Sequence, residues 1–298
     1  MSGPPAAELG AWRQAARLAA EARELGVRLA VPGAPLRELA EAIEGYVRAH
    51  GGEPAFPANL SRNQEAAHYT PDDADEGRLV AGDLLKVDVG AHVRGAVADT
   101  AETVEVGGGQ RHAHLIAAVH DALAAGVRAV RPGGAVDDVS RAIAGAIRAR
   151  GLKPVSDLTG HSIETYLLHA GKSIPNVPGL SDASFEEGEI IAIEPFATNG
   201  EGRIANGPFG HIVRFRRPPP ADDVELARLF ERFRTLPFTA RWARSPSERE
   251  ALGRGRRLLQ SYPVFLERGG GLVAQAEHTI RVGATSAEVL TVPGAPSA

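Results

Sequence analysis

Residues 83–106 read DLLKVDVGAHVRGAVADTAETVEV. Two runs rich in Val, Leu and Thr flank a turn near His92–Gly95, which predicts a β-hairpin. Pairing about that turn sets Asp88 directly opposite Asp99, with Cβ atoms about 5 Å apart on one face. At ~4 Å and an effective dielectric constant of 20, two carboxylates repel by about 4 kcal/mol. The hairpin therefore predicts a protonated carboxyl or a bound cation, unless the register differs and both aspartates lie in solvent.

The composition of the whole chain is that of an ordinary globular protein. It carries a net charge of −4 and 43% hydrophobic side chains. Its length of 298 residues is enough for one large domain or two moderate ones. The absence of a basic excess argues against a direct nucleic-acid role. Zero cysteines exclude disulfides and thiolate metal sites and fit a cytoplasmic protein. We expect neither a signal peptide after Met1 nor a membrane-spanning helix, because no apolar run approaches about 18 residues.

Amphipathic helices on both sides of the hairpin predict a repeated architecture. Ala and Leu recur at helical spacing in four segments, namely 7–30, 35–50, 111–130 and 135–150. A shift of 100 residues lays 27–54 on 127–154 with 11 of 28 positions identical, including an inter-helix Pro-Gly and a later Gly and Pro. Matching composition alone does not explain this agreement. We infer two similar α/β halves related by a pseudo-twofold axis, with a ligand cleft between them.

The second half contains polar motifs, strands and an insertion. The stretch TGHSIETYLLHAGKSIPN occupies 159–176, and GEIIAIEPFA at 188–197 predicts a strand. Pro218–Pro220 and two amphipathic helices predict an inserted helical subdomain, with the helices at 221–234 and 246–260. GGGLVAQAEHTIRV at 269–282 then predicts a strand that completes the main fold.

Four acids lie on or beside predicted strands, namely Asp88, Asp99, Glu194 and Glu277. Charged residues are rarely buried unless they are paired or coordinate a metal. A carboxylate facing solvent is the simpler interpretation for any one acid, but four in a repeated fold predict convergence around cations. His161, alone more typical of a hydrogen-bonded loop histidine, is the candidate neutral ligand. Such a sulfur-free set suits Mn²⁺, Fe²⁺, Co²⁺ or Zn²⁺, and two ions about 3.5–4 Å apart would support hydrolytic chemistry.

At these residues the sequence resembles the type II methionine aminopeptidases, a branch of the pita-bread metallopeptidase family. The resemblance covers nearly all the chain and rests on NLSRNQEAAHYTP, KVDVGAHVRGAVADTA, TGHSIETYLLHAGKSIPN, AIEPFAT and AQAEHT. It implies an α+β pita-bread fold of two pseudo-twofold-related halves. Residues 1–212 and 263–298 would form the catalytic domain, and 213–262 the helical insert typical of type II.

The resemblance also implies a mechanism with two divalent metal ions per chain, either Co, Mn, Fe or Zn. Asp88 would bind one ion, Asp99 and Glu277 would bridge both, and His161 and Glu194 would hold the other. In that family a metal-bridged hydroxide attacks the first peptide bond and removes the N-terminal methionine of nascent proteins. The Glu at the position of Glu194 shuttles protons.

Two histidines and an apolar pocket complete the implied site. His68 would face the scissile amide and His169 would contact the substrate carbonyl, roles that suit imidazoles near neutral pH. The pocket for the methionine side chain would comprise Phe56, Leu168, His169, His211 and Tyr262, with His68 beside the amide. We expect the other histidines to lie in solvent or, for His278, on the opposite face of its strand; the solvated set is His50, His92, His112, His114 and His120.

The branch within the family follows from three features. Glu194 and Glu277 lie 83 residues apart, which leaves room for the type II insert. The chain begins almost directly with the catalytic half, unlike prolidases, and we expect the compact archaeal form because no polybasic extension precedes it.

A Xaa-Pro aminopeptidase or prolidase-like enzyme is the alternative, as is a non-catalytic pita-bread binding protein. The expected partners are nascent chains and the ribosome, with no membrane, and we expect a monomer in the cytoplasm.

Overall fold

The computed structural model describes residues 9–293, in which helices and strands occur in comparable amounts. Six α-helices are present in this range: α1 (Leu9–Leu29), α2 (Leu36–Ala49), α3 (Ala113–Ala129), α4 (Val136–Ala149), α5 (Val224–Phe233) and α6 (Pro246–Arg254). Short 3₁₀ turns follow α5 and α6, at Ala240–Trp242 and Gly255–Leu258. The expectation about a signal peptide after Met1 lies outside the described residues. Within them, no helix combines the length and apolar character needed to cross a bilayer.

Fifteen strands accompany the helices in residues 9–293. They are β1 (Glu53–Pro54), β2 (Asn59–Arg62), β3 (Glu65–Ala67), β4 (Leu84–Val93), β5 (Ala96–Glu105), β6 (Lys153–Pro154), β7 (Thr159–Ile163), β8 (Ser173–Pro175), β9 (Ile190–Ile193), β10 (Phe196–Thr198), β11 (Ile204–Phe215), β12 (Leu259–Glu267), β13 (Val273–Gln275), β14 (Glu277–Val282) and β15 (Ala287–Val289). The four helices predicted before residue 151 are confirmed to within two residues at each end, and the predicted start of the first helix, at residues 7–8, lies outside the described residues.

One large sheet runs through the molecule and joins its two halves. Its strand order is β1-β4-β5-β14-β9-β7-β8, with β2 also paired to β4 and β15 to β14. Two smaller sheets have the orders β13-β10-β6 and β11-β12-β3. The first half contributes the strands up to β5, and the second half begins at β14 in this order. The seam between the halves therefore lies between β5 and β14.

The predicted repeat is present in the structure. Helices α2 and α4, and strands β1 and β6, have bounds that differ by 100 residues. Gly26 on α1 packs tightly against Ile43, and Gly126 on α3 packs in the same way against Ile143. In each half a glycine allows the first helix to approach the second closely, so each helix pair covers its half of the sheet as one layer.

Two predicted strands are each divided by a break. The segment 188–197 forms β9 in the large sheet and β10 in a smaller one, and 269–282 divides into β13 and β14 in the same way. β10 pairs with β13 and β9 pairs with β14. The two segments therefore run side by side as they pass from the large sheet to the smaller one. Hydrophobic residues occupy both sides of each break, and for that reason the sequence pattern did not indicate it.

The residues between β11 and β12 form a helical unit with its own core. Helices α5 and α6 enclose a cluster that includes Phe215, Leu229, Phe238 and Trp242. α5 begins with the side chain of Asp223 accepting a hydrogen bond from the Leu226 N–H, a typical N-cap. This unit packs beside α2, and it closes one side of the cleft described next.

Candidate metal centre and active site

The two aspartates of the hairpin lie on one face of the sheet, but not directly opposite each other. Asp88 pairs with Ala101, two residues beyond Asp99. The hairpin turns through Arg94 and Gly95, both at positive φ, as the favoured two-residue turns require. The centre of the hairpin is therefore one residue later than predicted, and the predicted direct opposition is wrong. The aspartates are diagonal neighbours, which still places both carboxylates on the same side.

The other two acids extend this set across the seam. Glu277 on β14 also pairs with Ala101, so it lies in the same cross-strand row as Asp88. The register between β14 and β9 continues the row to Glu194, the residue directly after β9. Glu194 and Glu277 both stand where their segments pass from one sheet to the other. Four acids distant in sequence thus meet on one face of β4, β5, β14 and β9.

His161 enters the cluster from β7, the next strand of the sheet. It pairs with Ala192 on β9, and its Nε2 lies 3.6 Å from Asp99 Oδ2 and 3.6 Å from Glu194 Oε1. One possible ligand atom each from Asp99, His161 and Glu277 lie within 4.8 Å of one another. Two carboxylates and an imidazole at such spacing can hold a metal ion between them.

Burial controls the electrostatics of the cluster. Removal from water, followed by the neighbouring charge of Asp99, raises the pKa of Asp88, Glu194 and Glu277 well above the usual carboxyl range. Burial also raises the pKa of Asp99 to about 7, and it lowers the pKa of His161 to about 4. The protein alone therefore favours protonated acids and a neutral imidazole, and a cation would restore the carboxylates.

The oxygens of the cluster fit divalent metal ions. Within the described part of the chain, Asp88 Oδ1, Asp99 Oδ1 and Glu277 Oε1 are buried and have no hydrogen-bond partner. Gln275 Nε2 donates to the other carboxylate oxygen of Glu277 at 3.2 Å. Buried acceptors without donors are costly, and oxygen with imidazole nitrogen is the donor set of hard or borderline cations. The residues present therefore fit the metals expected from the sequence.

A cavity of about 210 Å³ opens onto the acids and the imidazole. Five of the six residues predicted for substrate binding line it, namely Phe56, His68, Leu168, His169 and Tyr262. Further lining residues, most of them apolar, were not predicted from the sequence: Asn59, Ala67, Asp157, Leu158, Thr159, Phe196, Ile212, Pro237 and Phe265. Tyr262 and Phe265 both line the cavity although they are three positions apart on β12, a strand whose register with β11 and β3 is irregular. No pattern in the sequence indicates such irregularities.

Both candidate catalytic histidines line the cavity beside the acids, with His68 half-buried and His169 exposed at its edge. His68 Nδ1 lies 3.3 Å from the carbonyl oxygen of Pro263, and because a carbonyl can only accept, Nδ1 carries the proton. Burial lowers the pKa of His68 to about 4, so its Nε2 is an acceptor at neutral pH. The ring of His169 lies 4.4 Å from that of His161 between centroids. Partial removal from water in the cavity wall, followed by repulsion from the positive charge that His161 would carry, lowers the pKa of His169.

The structure does not bring His211 into the cavity. Its Nδ1 lies 3.6 Å from Asp72 Oδ2, and the side chain is 40% exposed. The neighbouring Ile212, which pairs with Tyr262, lines the cavity instead. A positive φ at His211 and the irregular pairing of β11 turn its ring to the other face, which explains why this expectation was wrong.

Among the remaining histidines, one differs from the expectation. His92 is buried and only 9% exposed, because it accepts a hydrogen bond from the Gly95 N–H and packs near Tyr166. His278 lies outside the cavity and its Nδ1 is 2.9 Å from Thr291 Oγ1, as expected for the opposite face. The others lie at the surface or are half-buried, namely His50, His112, His114 and His120.

Comparison with known proteins identifies the family of this chain. The model of metallopeptidase family M24 matches residues 10–282. The methionine aminopeptidase of Pyrococcus abyssi is 43% identical over 289 residues, which cover 93% of this chain and 97% of the relative. The methionine aminopeptidase of Methanocaldococcus jannaschii is 39% identical over 285 residues, which cover 93% of this chain and 96% of the relative.

Solved structures with lower identity show the same fold. A thermophilic Arx1 superimposes with a TM-score of 0.82 at 16% identity, covering 98% of this chain and 92% of the other. The methionine aminopeptidase of Thermotoga maritima gives a TM-score of 0.73 at 21% identity, and the match covers 97% of this chain and 98% of the other. The prolidase of Pyrococcus furiosus gives 0.65 at 16% identity, and the match covers 98% of this chain but 65% of the prolidase. The fold is thus the pita-bread fold, and the chain belongs to metallopeptidase family M24 and, within it, to the type II methionine aminopeptidases.

Proposed function

We propose that this chain is a metal-dependent aminopeptidase that removes the N-terminal methionine from nascent polypeptides. The observation that carries the proposal is the cavity of about 210 Å³, in which acids and imidazoles meet apolar side chains. The acids suit the chemistry of peptide hydrolysis, and the apolar wall suits an unbranched thioether side chain. Membership of the type II methionine aminopeptidases supports the same assignment.

The metal ligands that we propose are Asp88, Asp99, His161, Glu194 and Glu277. Asp99 and Glu277 are diagonal neighbours on one face across the seam, and they would hold the ions together with Asp88 on one side and His161 and Glu194 on the other. Two bound divalent ions supply a Lewis acid for the peptide carbonyl and a nucleophile at neutral pH. The metal is one of Co, Mn, Fe or Zn, because the site offers oxygen and imidazole but no sulfur.

The residues of the chain then have distinct roles in the proposed reaction. Glu194 accepts a proton at its carboxylate and passes it to the leaving amine. His68, neutral and with Nε2 as an acceptor, receives a hydrogen bond from the scissile amide N–H and so orients that bond. His169 lies beside His161 and contacts the substrate carbonyl. Phe56, Leu168 and Tyr262 hold the methionine side chain and exclude water.

A peptide assay tests this function against its alternative. With Mn²⁺ or Co²⁺ added, we expect release of methionine from Met-Gly-Gly and no cleavage of an Xaa-Pro peptide. The reverse preference would support a prolidase-like enzyme instead. Failure to cleave either peptide by the metal-loaded protein would contradict both and support a binding protein of the same fold.

We also interpret residues 213–262 as an insert within the catalytic domain formed by 1–212 and 263–298. The helical part of this segment lies between β11 and β12 and has its own hydrophobic cluster. The absence of cysteine from the sequence supports action in the cytoplasm. Ribosome association and a monomeric state stay predictions of the family resemblance.

A further inference from the structure

Asn59 extends the row of acids by one strand. It lies on β2, where it pairs with Asp88, and directly opposed side chains of antiparallel strands point to the same face. Asn59 is 3% exposed, and it lines the cavity together with the acids. A polar side chain therefore stands inside the cleft, next to Asp88 and on the side away from His161.

The amide of Asn59 has a fixed orientation and one unused group. Its Nδ2 donates to the carbonyl oxygen of Pro57 at 2.9 Å, which assigns the other terminal atom as the oxygen. This Oδ1 is buried and has no hydrogen-bond partner among residues 9–293. A buried acceptor without a donor is costly unless a ligand supplies the donor. The unused oxygen is therefore an argument for a donor group on the substrate.

We propose that Asn59 Oδ1 accepts a hydrogen bond from the α-amino group of the substrate's N-terminal residue. The inference rests on the proposed aminopeptidase function, since the free α-amine is the one donor that distinguishes the end of a chain from its interior. The acidic neighbour Asp88 favours an amine at this position over a carbonyl. The apolar wall around Phe56 leaves room for the side chain of the same residue. Asn59 thus selects for a free N-terminus.

Two hydroxamate probes that differ only in the amine test this proposal. One is methionine hydroxamate, and the other is 4-(methylthio)butanohydroxamate, which lacks the α-amino group. We expect the Mn²⁺-loaded wild-type protein to bind the amino probe more tightly. In Asn59→Leu, which keeps the size of the side chain, the preference should fall roughly tenfold, as for loss of one hydrogen bond to a polar ligand group. Only the affinity for the amino probe should change.

A matched variant and a metal titration separate the alternatives. Ser61→Ala removes a polar group from the same face of β2 outside the cavity and should keep the full preference. Titration of metal-free Asn59→Leu with Mn²⁺ should give wild-type affinity. Equal weakening of both probes and of Mn²⁺ would make Asn59 a metal ligand or a packing residue and overturn the proposal. The proposal would also be overturned if Asn59→Leu kept the full preference for the amino probe, or if the wild-type protein showed no such preference. Cleavage of Met-Gly-Gly tests the proposed function separately.

Discussion

His68 is a residue whose position separates catalysis from metal binding. It lines the cavity but is not one of the five proposed ligands, and burial keeps it neutral. We expect His68→Ala to retain its metal ions and to lose roughly 100-fold or more in kcat, the usual contribution of a well-placed proton-transfer or hydrogen-bonding group. Metal analysis and Met-Gly-Gly turnover measure the two effects. The exposed His50 serves as the control, because His50→Ala should change neither, and normal turnover in His68→Ala would refute the role.

At the scale of single residues, the sequence predicted most of the site. Asp88, Asp99, Glu194, Glu277 and His161 converge because each lies on or beside a strand of one sheet, and acids in apolar strands can be read from the sequence. The position of His211 could not be predicted, since an irregular β11 turned it outward. Asn59 was missed because one amide in a loop-like stretch gives no signal until its unpartnered oxygen is seen.

The hairpin of β4 and β5 contains a buried histidine, His92, whose protonation is linked to folding. Burial lowers the pKa of His92 to about 4 from 6.5. Below pH 6.5 the unfolded chain binds a proton that the folded chain does not bind until about pH 4, so stability is lost as the pH falls through this window. The loss attributable to His92 is about 3 kcal/mol.

Urea unfolding between pH 4 and pH 7.5 measures this contribution. His92→Asn retains an acceptor for the Gly95 N–H but does not titrate, so its unfolding free energy should decrease less steeply on acidification. The difference in slope isolates His92 from the other buried histidines, which are shared by both proteins. Parallel curves for the two proteins would show that His92 does not contribute.

Helix glycines test the packing of the repeated elements. A Cβ on Gly26 would lie 2.7 Å from both Ile43 Cδ1 and Val87 Cγ1, whereas a Cβ on Gly45 has no neighbour within 4 Å. We expect Gly26→Ala to destabilise the protein by about 1–3 kcal/mol through overpacking. Gly45→Ala should instead stabilise it by about 1 kcal/mol, because alanine favours the helix. Thermal unfolding of both variants checks the opposite signs, and a stabilising Gly26→Ala would contradict the close approach of α1.

Element prediction succeeded where periodicity is strong. The helices of both halves have an apolar stripe at 3.6-residue spacing, and their bounds followed from it. The strands at 188–197 and 269–282 differ, since each bends from one sheet into another at its acid. Apolar residues occupy both sides of that bend. The hydrophobic pattern therefore continues through it without a sign that the backbone passes into a second sheet.

At the scale of the whole molecule, Glu44 attaches the helical insert to the first half. Arg241 donates two hydrogen bonds to its carboxylate, at 2.9 and 2.7 Å, and Trp242 Nε1 donates a third at 2.6 Å. Glu44→Gln would leave the buried guanidinium without its counter-ion, which costs about 3 kcal/mol. The exposed Glu41, on the same helix and 3.9 Å from Arg37, provides the control, as Glu41→Gln should cost less than about 1 kcal/mol. Equal effects of the two changes on urea unfolding would exclude this role.

The overall arrangement was only partly predictable. The 100-residue repeat indicated two halves, and the cleft between them followed from general experience with such folds. The seam between β5 and β14 could not be derived, because it joins strands that are distant in sequence and have no pairing signal. The contact of Glu44 with Arg241 is of the same kind, since the two residues are separated by 197 positions.

Divalent ions are expected to hold the buried acids together in one cleft, and calorimetric titration of the metal-free protein with Mn²⁺ measures whether they bind. We predict that the wild-type protein binds two ions per chain and that Asp99→Asn, which alters the proposed bridging carboxylate, binds neither tightly. The same variant should have no activity on Met-Gly-Gly. A wild-type protein that takes up no Mn²⁺, or an Asp99→Asn variant that binds it as tightly as the wild type, would show that the acids do not form this metal site.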